Sequence, residues 1–431
     1  MNEIKSVDRS KQPPVKLIGK VNLLKPDERT LDNGVHIYSF NTGTQDVIKI
    51  ECVFDAGTWY QKKKLVAFST IKMLTEGTKK HSASELAEIF DAYGAFVETE
   101  AEKDYAFISL YCLTKHLPKL LPLFSEMIRD SVFPKHELSV LLENTRQEML
   151  ISQQRVSYIA RIKFAEQLFG KDHPYGQSAI AEDYDHVSSN DLIDFHKKFY
   201  HPANLRLVVS GKVDNSVLPL INDYLGNKNW KAGKKAVMKS WPVSPSKEKT
   251  IVVIKKSALQ SGMRIGKILF TKQHPDYFGV SVLNILLGGY FGSRLMTNIR
   301  EDKGYTYGIG SGLVSFKNAG YIFIASDVKA EIREMAVNEI YKEIDLLRSK
   351  PVSQKELDLV KNYMMGSFLR SIDGPFALSE RFIGIMDYGF DFSEYYNRYI
   401  HTIKTISSKQ IISLANKYLQ TDTFFETIAG K

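Results

Sequence analysis

The feature that most constrains this chain is an internal repeat. Residues 187–212, VSSNDLIDFHKKFYHPANLRLVVSGK, align without a gap over residues 406–431, ISSKQIISLANKYLQTDTFFETIAGK, an offset of 219 residues with six identities. The replacements Val/Ile, Leu/Ile and Phe/Leu keep a helical apolar pattern, then a turn, then a strand closing in Gly-Lys. The same offset lays Glu137-Leu138 on Glu356-Leu357, each opening a helix after a proline-containing break. Such a chain is two copies of one design, and 431 residues is more than one ordinary core organises.

Local patterns repeat the same order of elements. In the first copy an alternating strand at 48–54 leads to LVAFSTIKMLTEGT (65–78), which reads as one amphipathic helix closed by Gly77, with Val66, Phe68, Ile71, Met73 and Leu74 on a core face. Ser82 and Glu85 form a capping box before a second helix that Gly94 ends. The strand YAFISLYC, helices near 117–129 and 135–152, and more helix through about 168 follow. The second copy has strands at 251–254 and 263–270, a helix at 275–287, a glycine-rich loop, the strand YIFIAS, and a helix with Val337, Ile340, Ile344 and Leu347 on one face. Hairpin-like strand pairs beside long helices predict an α+β fold of two duplicated domains, each a largely antiparallel sheet with helices packed on it. The domains are expected at 1–225 and 251–431, joined by a lysine-rich linker at 226–250.

The linker also accounts for most of the charge. It carries seven lysines and one glutamate, hence six of the nine excess positive charges, but no arginine and no periodic apolar face. It reads as a solvated connection, and nucleic acid is not expected as a partner. No apolar run is long enough to span a membrane, and the polar N-terminus lacks the apolar core of a secretory signal. A cytoplasmic location is therefore expected, a periplasmic one staying open to a chain whose signal has been removed. Cys52 and Cys112 sit in strand-like alternations and read as small buried thiols. Among the histidines no pair has the i, i+4 spacing that puts two imidazoles on one helical face, and His196 and His201 flank a helix end.

The segment LLGGYFGSRLMTNIREDKGYTYGIGSG (286–312) resembles the second-domain signature of the pitrilysin/insulinase family, the inverted zinc peptidases that include mitochondrial processing peptidase. FDAGTWYQ, GTKKHSASELAEIFDAYGA, DHPYGQS and the two repeated endings follow in family order, so the resemblance runs over nearly the whole chain. It implies an opening helix carrying H-x-x-E-H, with two zinc-binding histidines, a glutamate base, and a glutamate farther on as third ligand. Here the histidine positions hold Phe68 and Lys72, the base position holds Ile71, and only Glu148 matches a ligand. One carboxylate does not hold zinc, so no metal or other cofactor is expected in this chain.

The resemblance also implies a substrate role for the second half. Arg300 and Tyr307 match an arginine and a tyrosine that bind substrate backbone and stabilise the oxyanion in catalytic members. A guanidinium offers forked donors and a phenol one directional donor, which suits those tasks. Gly288, Gly289 and Gly292 resemble the flexible glycine-rich loop that contacts peptides in a non-catalytic processing-peptidase subunit. The expectation is a metal-free, non-catalytic subunit, inactive alone, paired with a homologous zinc-bearing subunit and binding peptide. A homodimer of the lone chain stays open. The alternative is a peptide-binding or scaffold protein like the core subunits of respiratory complexes.

Overall fold

The computed structural model describes residue 10 and residues 21–431. The first half forms a six-stranded sheet from β1 (Asp27–Thr30), β2 (His36–Asn41), β3 (Val47–Phe54), β4 (Phe96–Ala101), β5 (Ala106–Leu113) and β6 (Leu205–Gly211), in the order β1-β2-β6-β3-β5-β4. The second half forms a five-stranded sheet from β7 (Thr250–Ile254), β8 (Gln260–Leu269), β9 (Ile309–Ser315), β10 (Gly320–Lys329) and β11 (Phe425–Gly430), in the order β7-β11-β8-β10-β9. Each sheet is antiparallel except for one pair, β2 with β6 in the first and β7 with β11 in the second. The fold is α+β, with the duplication written into both topologies.

Alternation decides which strand face is dry. Ile48, Ile50, Cys52 and Phe54 of β3, with Ile108 and Leu110 of β5, enter one apolar core. Its other side is built by buried residues of α1 (Val66–Lys72), α2 (Ala83–Ala92), α3 (Leu117–Asp130), α4 (Lys135–Ser152), α6 (Ser189–Phe199) and α7 (Val217–Leu225), while α5 (Val156–Phe169) lies outside this core. A second core lies between the second sheet and α8 (Tyr277–Asn284), α9 (Arg333–Ser349), α10 (Gln354–Arg370), α11 (Pro375–Ile383), α12 (Phe392–Thr405) and α13 (Ser408–Tyr418). The repeated ending keeps its register: Ser188 caps α6 through Asp191 and Ser407 caps α13 through Gln410, both as capping boxes. Both cysteines are buried and unpaired, and burial pushes the Cys112 thiol up to about 12.

The halves exchange helices. Helix α5 of the first half packs on β8 and β11 of the second sheet, and α11 of the second half packs on β6 and β2 of the first. At the crossings stand small residues related by the 219-residue offset: Ala160 clusters with Ala429, and the Ser379 hydroxyl meets that of Ser210 at 3.1 Å. Close approach of helix to sheet demands small side chains at those points. Gly262 serves the same end, since a Cβ there would lie 2.6 Å from the Val156 backbone.

Residues 226–250 hold no helix or strand beyond the start of β7, but they are tied down. Trp230 enters the first core, the Ala236 amide donates to Asn204 Oδ1 at 2.6 Å, and Ser246 donates its amide to the Gln167 carbonyl at 2.8 Å. The expectation of a plain solvated connection is corrected to this extent: the lysines are exposed, the backbone is strapped to the first half. No helix among the described residues is long and apolar enough to cross a membrane.

Candidate functional site

The helix matched to the zinc motif is shorter than expected. It starts at Leu65, held in the left-handed region at φ 69, and after Lys72 tightens into a 3-10 turn at Met73–Thr75. Gly77 and Thr78 are drawn into bridges with Ser82 and Ser131, which ends the helix before residue 78. Val66, Ile71, Met73 and Leu74 are buried as expected, whereas Phe68 is half-buried and outside the core. The half-buried Lys72 ammonium donates to the Thr99 carbonyl at 2.5 Å, spending its charge on the outermost strand β4. Glu148 stands exposed on α4. A phenyl, a sec-butyl and an ammonium group donate no electron pair to zinc, so these positions do not fit the ion. No group of three His, Cys, Asp or Glu that could hold a metal occurs among the described residues. His196 is buried with its Nε2 2.7 Å from the Ile128 carbonyl, and burial lowers its pKa.

The glycine segment is firmer than a flexible loop. Gly288 and Gly289 lie in a π-helical turn (Ile285–Gly289), and a Cβ on Gly288 would meet the Ser311 amide at 2.7 Å. Close packing of this turn on β9 is what requires that glycine. Gly292 follows in an exposed turn beside Tyr290 and Phe291. A second π-helical stretch, Met296–Asp302, carries Arg300, whose guanidinium lies 4.6 Å from the centre of the Phe291 ring. Such stretches recur at functional sites because they re-aim a side chain.

Tyr307 hangs on a pinned loop. Thr306 Oγ1 donates to the Asp327 carbonyl at 2.8 Å, and Ser326 Oγ donates to the Gly308 carbonyl at 2.9 Å. Between these anchors Tyr307 is 97% exposed and makes no hydrogen bond among the described residues. The fold thus brings Arg300 to the glycine segment through Phe291 and leaves Tyr307 pointing outward. Among the described residues no hydrogen bond, ion pair or ring contact joins Arg300 to Tyr307, or either to Lys72.

Between the halves lies a charged cleft that sequence patterns did not reveal. Arg206 donates both Nη groups to Asp55 at 3.0 Å and reaches Asp387 of the second half at 3.2 Å. The Lys317 amide donates to Asp104 Oδ2 at 2.9 Å, and the Tyr175 hydroxyl to Asp104 Oδ1 at 2.7 Å. Burial pushes both carboxyl groups up; at Asp55 the Arg206 fork overcomes it and holds the acid below its ordinary pKa, while Asp104 stays raised. Beside this network a cavity of 750 Å³ is lined by Lys49, Glu51, Lys103, Lys272 and Glu380 among others. Burial brings Lys103 down to about 8. These residues are scattered from 49 to 388, so only the closed fold gathers them.

A duplicated α+β chain with exchanged helices defines a class: the two-domain metallopeptidase-like proteins. Residues 37–173 match the family model for insulinase (peptidase family M16), and residues 186–364 match that for the peptidase M16 inactive domain. The chain belongs to peptidase family M16. It is 25% identical to the uncharacterized zinc protease YmxG of Bacillus subtilis over 80% of this chain and 84% of that protein. It is 23% identical to an uncharacterized zinc protease of Rickettsia felis over 91% and 95%. Among solved structures, a peptidase M16 inactive domain from Pseudomonas fluorescens superposes with a TM-score of 0.86 at 24% identity, covering 94% of this chain and 98% of that one. A protease from Helicobacter pylori gives 0.85 at 18% identity, covering 95% and 100%. The periplasmic protease PqqL of Escherichia coli gives 0.79 at 16% identity, covering 98% of this chain and 47% of that longer one.

Proposed function

We propose that this protein is the non-catalytic, metal-free subunit of a two-subunit zinc peptidase, binding peptide and lending Arg300 and Tyr307 to a homologous partner's active site. The observation that carries this reading is a division of labour within one chain. The positions matched to the zinc motif are occupied by Phe68, Ile71 and Lys72, whereas Tyr307 is 97% exposed on a pinned loop and the half-exposed Arg300 lies 4.6 Å from the Phe291 ring centre. The Tyr307 phenol has no hydrogen-bond partner among the described residues, and the Arg300 guanidinium reaches only its neighbour Glu301, at 3.9 Å. They suit the carbonyl oxygens of an extended peptide and the charge that develops on one of them during attack. Zinc and the attacking water belong to the partner in this scheme, and no step of it runs through a metal on this chain.

Arg300→Ala should lower the activity of the reconstituted pair by about 100-fold, the scale of losing one oxyanion donor, with the pair still co-eluting on gel filtration. Peptide cleavage at the unmutated rate would remove Arg300 from the reading. The scaffold alternative predicts no peptidase activity with any zinc-bearing partner.

A further inference from the structure

The 219-residue offset lays Leu205–Gly211, which is β6, on 424–430, which holds β11, so the two sheets can be matched strand by strand. In the first sheet β2 runs parallel to β6 and carries β1 antiparallel on its outer side. In the second, β7 runs parallel to β11 in the place of β2, and among the described residues no strand lies beyond it. The linker that leads into β7 supplies no counterpart of β1.

The outer side of β7 is ready for such a strand in both backbone and side chains. The Glu426 amide donates to the Lys249 carbonyl at 2.8 Å, and the Lys255 amide to the Gly430 carbonyl at 2.9 Å. Alternate residues of a parallel strand serve one neighbour, so the N–H and C=O groups of Thr250, Val252 and Ile254 face away from β11. Val252 is 49% and Ile254 73% exposed, while Val253 packs beside Ala160 and Ala429. Outer edges of sheets are ordinarily guarded by charge or proline. β1 obeys that rule with Asp27, Glu28 and Arg29, whereas β7, TIVVI, carries neither.

Charge selects the occupant. Lys247, Lys249, Lys255 and Lys256 bracket the strand, with Glu248 as the one acid among them. Lys249 reaches the Thr423 carbonyl at 3.4 Å and Lys255 reaches Gln154 Oε1 at 2.8 Å, and none of the four lysines has an ion-pair partner among the described residues. A second copy of the chain, paired antiparallel about Val252, would set Lys249 of each copy opposite Lys255 of the other, and like charges directly opposite are destabilising. We propose that β7 takes up, as a sixth strand of its sheet, an extended segment of a partner protein that is apolar at alternate positions and acidic on both flanks. The added strand runs antiparallel, as β1 does on β2, which is the more stable pairing. The site stands apart from Arg300 and Tyr307: β9, which follows Tyr307, closes the other end of the sheet, four strand spacings or about 19 Å away. A partner docked on β7 leaves those two residues open.

The test is fluorescence anisotropy at low salt, the full chain being titrated into a dye-labelled peptide, EEVTVTVEE, and into its lysine-flanked copy, KKVTVTVKK. Saturable binding of the acid-flanked peptide is expected, with the lysine-flanked copy weaker by about tenfold or more and high salt narrowing the difference. Amide hydrogen exchange over residues 250–254 should slow on binding, as outward N–H groups become donors to the new strand. Val252→Pro removes one outward donor at an edge position that admits proline and should weaken binding about tenfold. Ile254→Asp keeps every backbone group, sets a carboxylate beside the acidic flank, and should weaken binding by a similar factor. The proposal is overturned by the absence of saturable binding, by equal affinity for the two peptides, or by an affinity that both variants leave unchanged. It is also overturned if gel filtration gives a dimer that Val252→Pro returns to monomer, since the edge would then belong to a second copy.

Discussion

At the scale of single residues, Asp55 and Lys72 show how charge is placed in this chain. Asp55 is 3% exposed and receives the Arg206 fork, so its removal leaves a buried guanidinium short of a partner. Asp55→Asn should cost about 3 kcal/mol in urea unfolding. The pH dependence has a definite sign. A carboxyl held below its unfolded pKa contributes stability above about 3.9, and that contribution is lost as pH falls through the lowered native value. Asp104 acts in the opposite sense, since its raised pKa makes protonation favour the native state as pH falls toward about 3.9. Wild type should therefore lose stability below about pH 3.9 with a slope that Asp55→Asn reduces, and an unchanged slope would show that Asp55 is not the group responsible. Lys72 was legible in the sequence as a cation at a metal position. Its acceptor, the Thr99 carbonyl, was not, because that contact spans 27 residues and depends on where β4 ends up.

At the scale of elements, the exchanged helices hold the two copies together. Ala160 and Ser379 occupy equivalent points of α5 and α11, each fully buried against a small residue of the other half's sheet. Ala160→Leu should destabilise by about 2 kcal/mol through overpacking, and Ser379→Leu should do so similarly, read as urea midpoints. A midpoint unmoved by either change would mean that the crossings are looser than described. The pattern of α5 was readable as helix and that of α11 was not singled out; the destination of neither was legible, since an apolar face does not name the sheet that it will cover. The π-helical turns were illegible for a related reason: Gly288 and Gly289 look like a flexible loop until the Ser311 backbone presses on them.

At the scale of the molecule, the duplication, the α+β class and the family were all present in the chain, carried by the 219-residue repeat and the 286–312 segment. The cavity between the halves was hidden, because its lining joins residues far apart, and so was the strapping of the linker through Gly233 and Ala236. The central claim concerns the whole chain as half of an enzyme. It is tested most directly by assaying cleavage of an unstructured peptide by this protein alone and mixed with a homologue bearing H-x-x-E-H, with zinc measured in each. The account predicts no zinc and no cleavage for this chain alone, and cleavage in the mixture well above that of the homologue by itself. Bound zinc with chelator-sensitive cleavage by the isolated chain would contradict it.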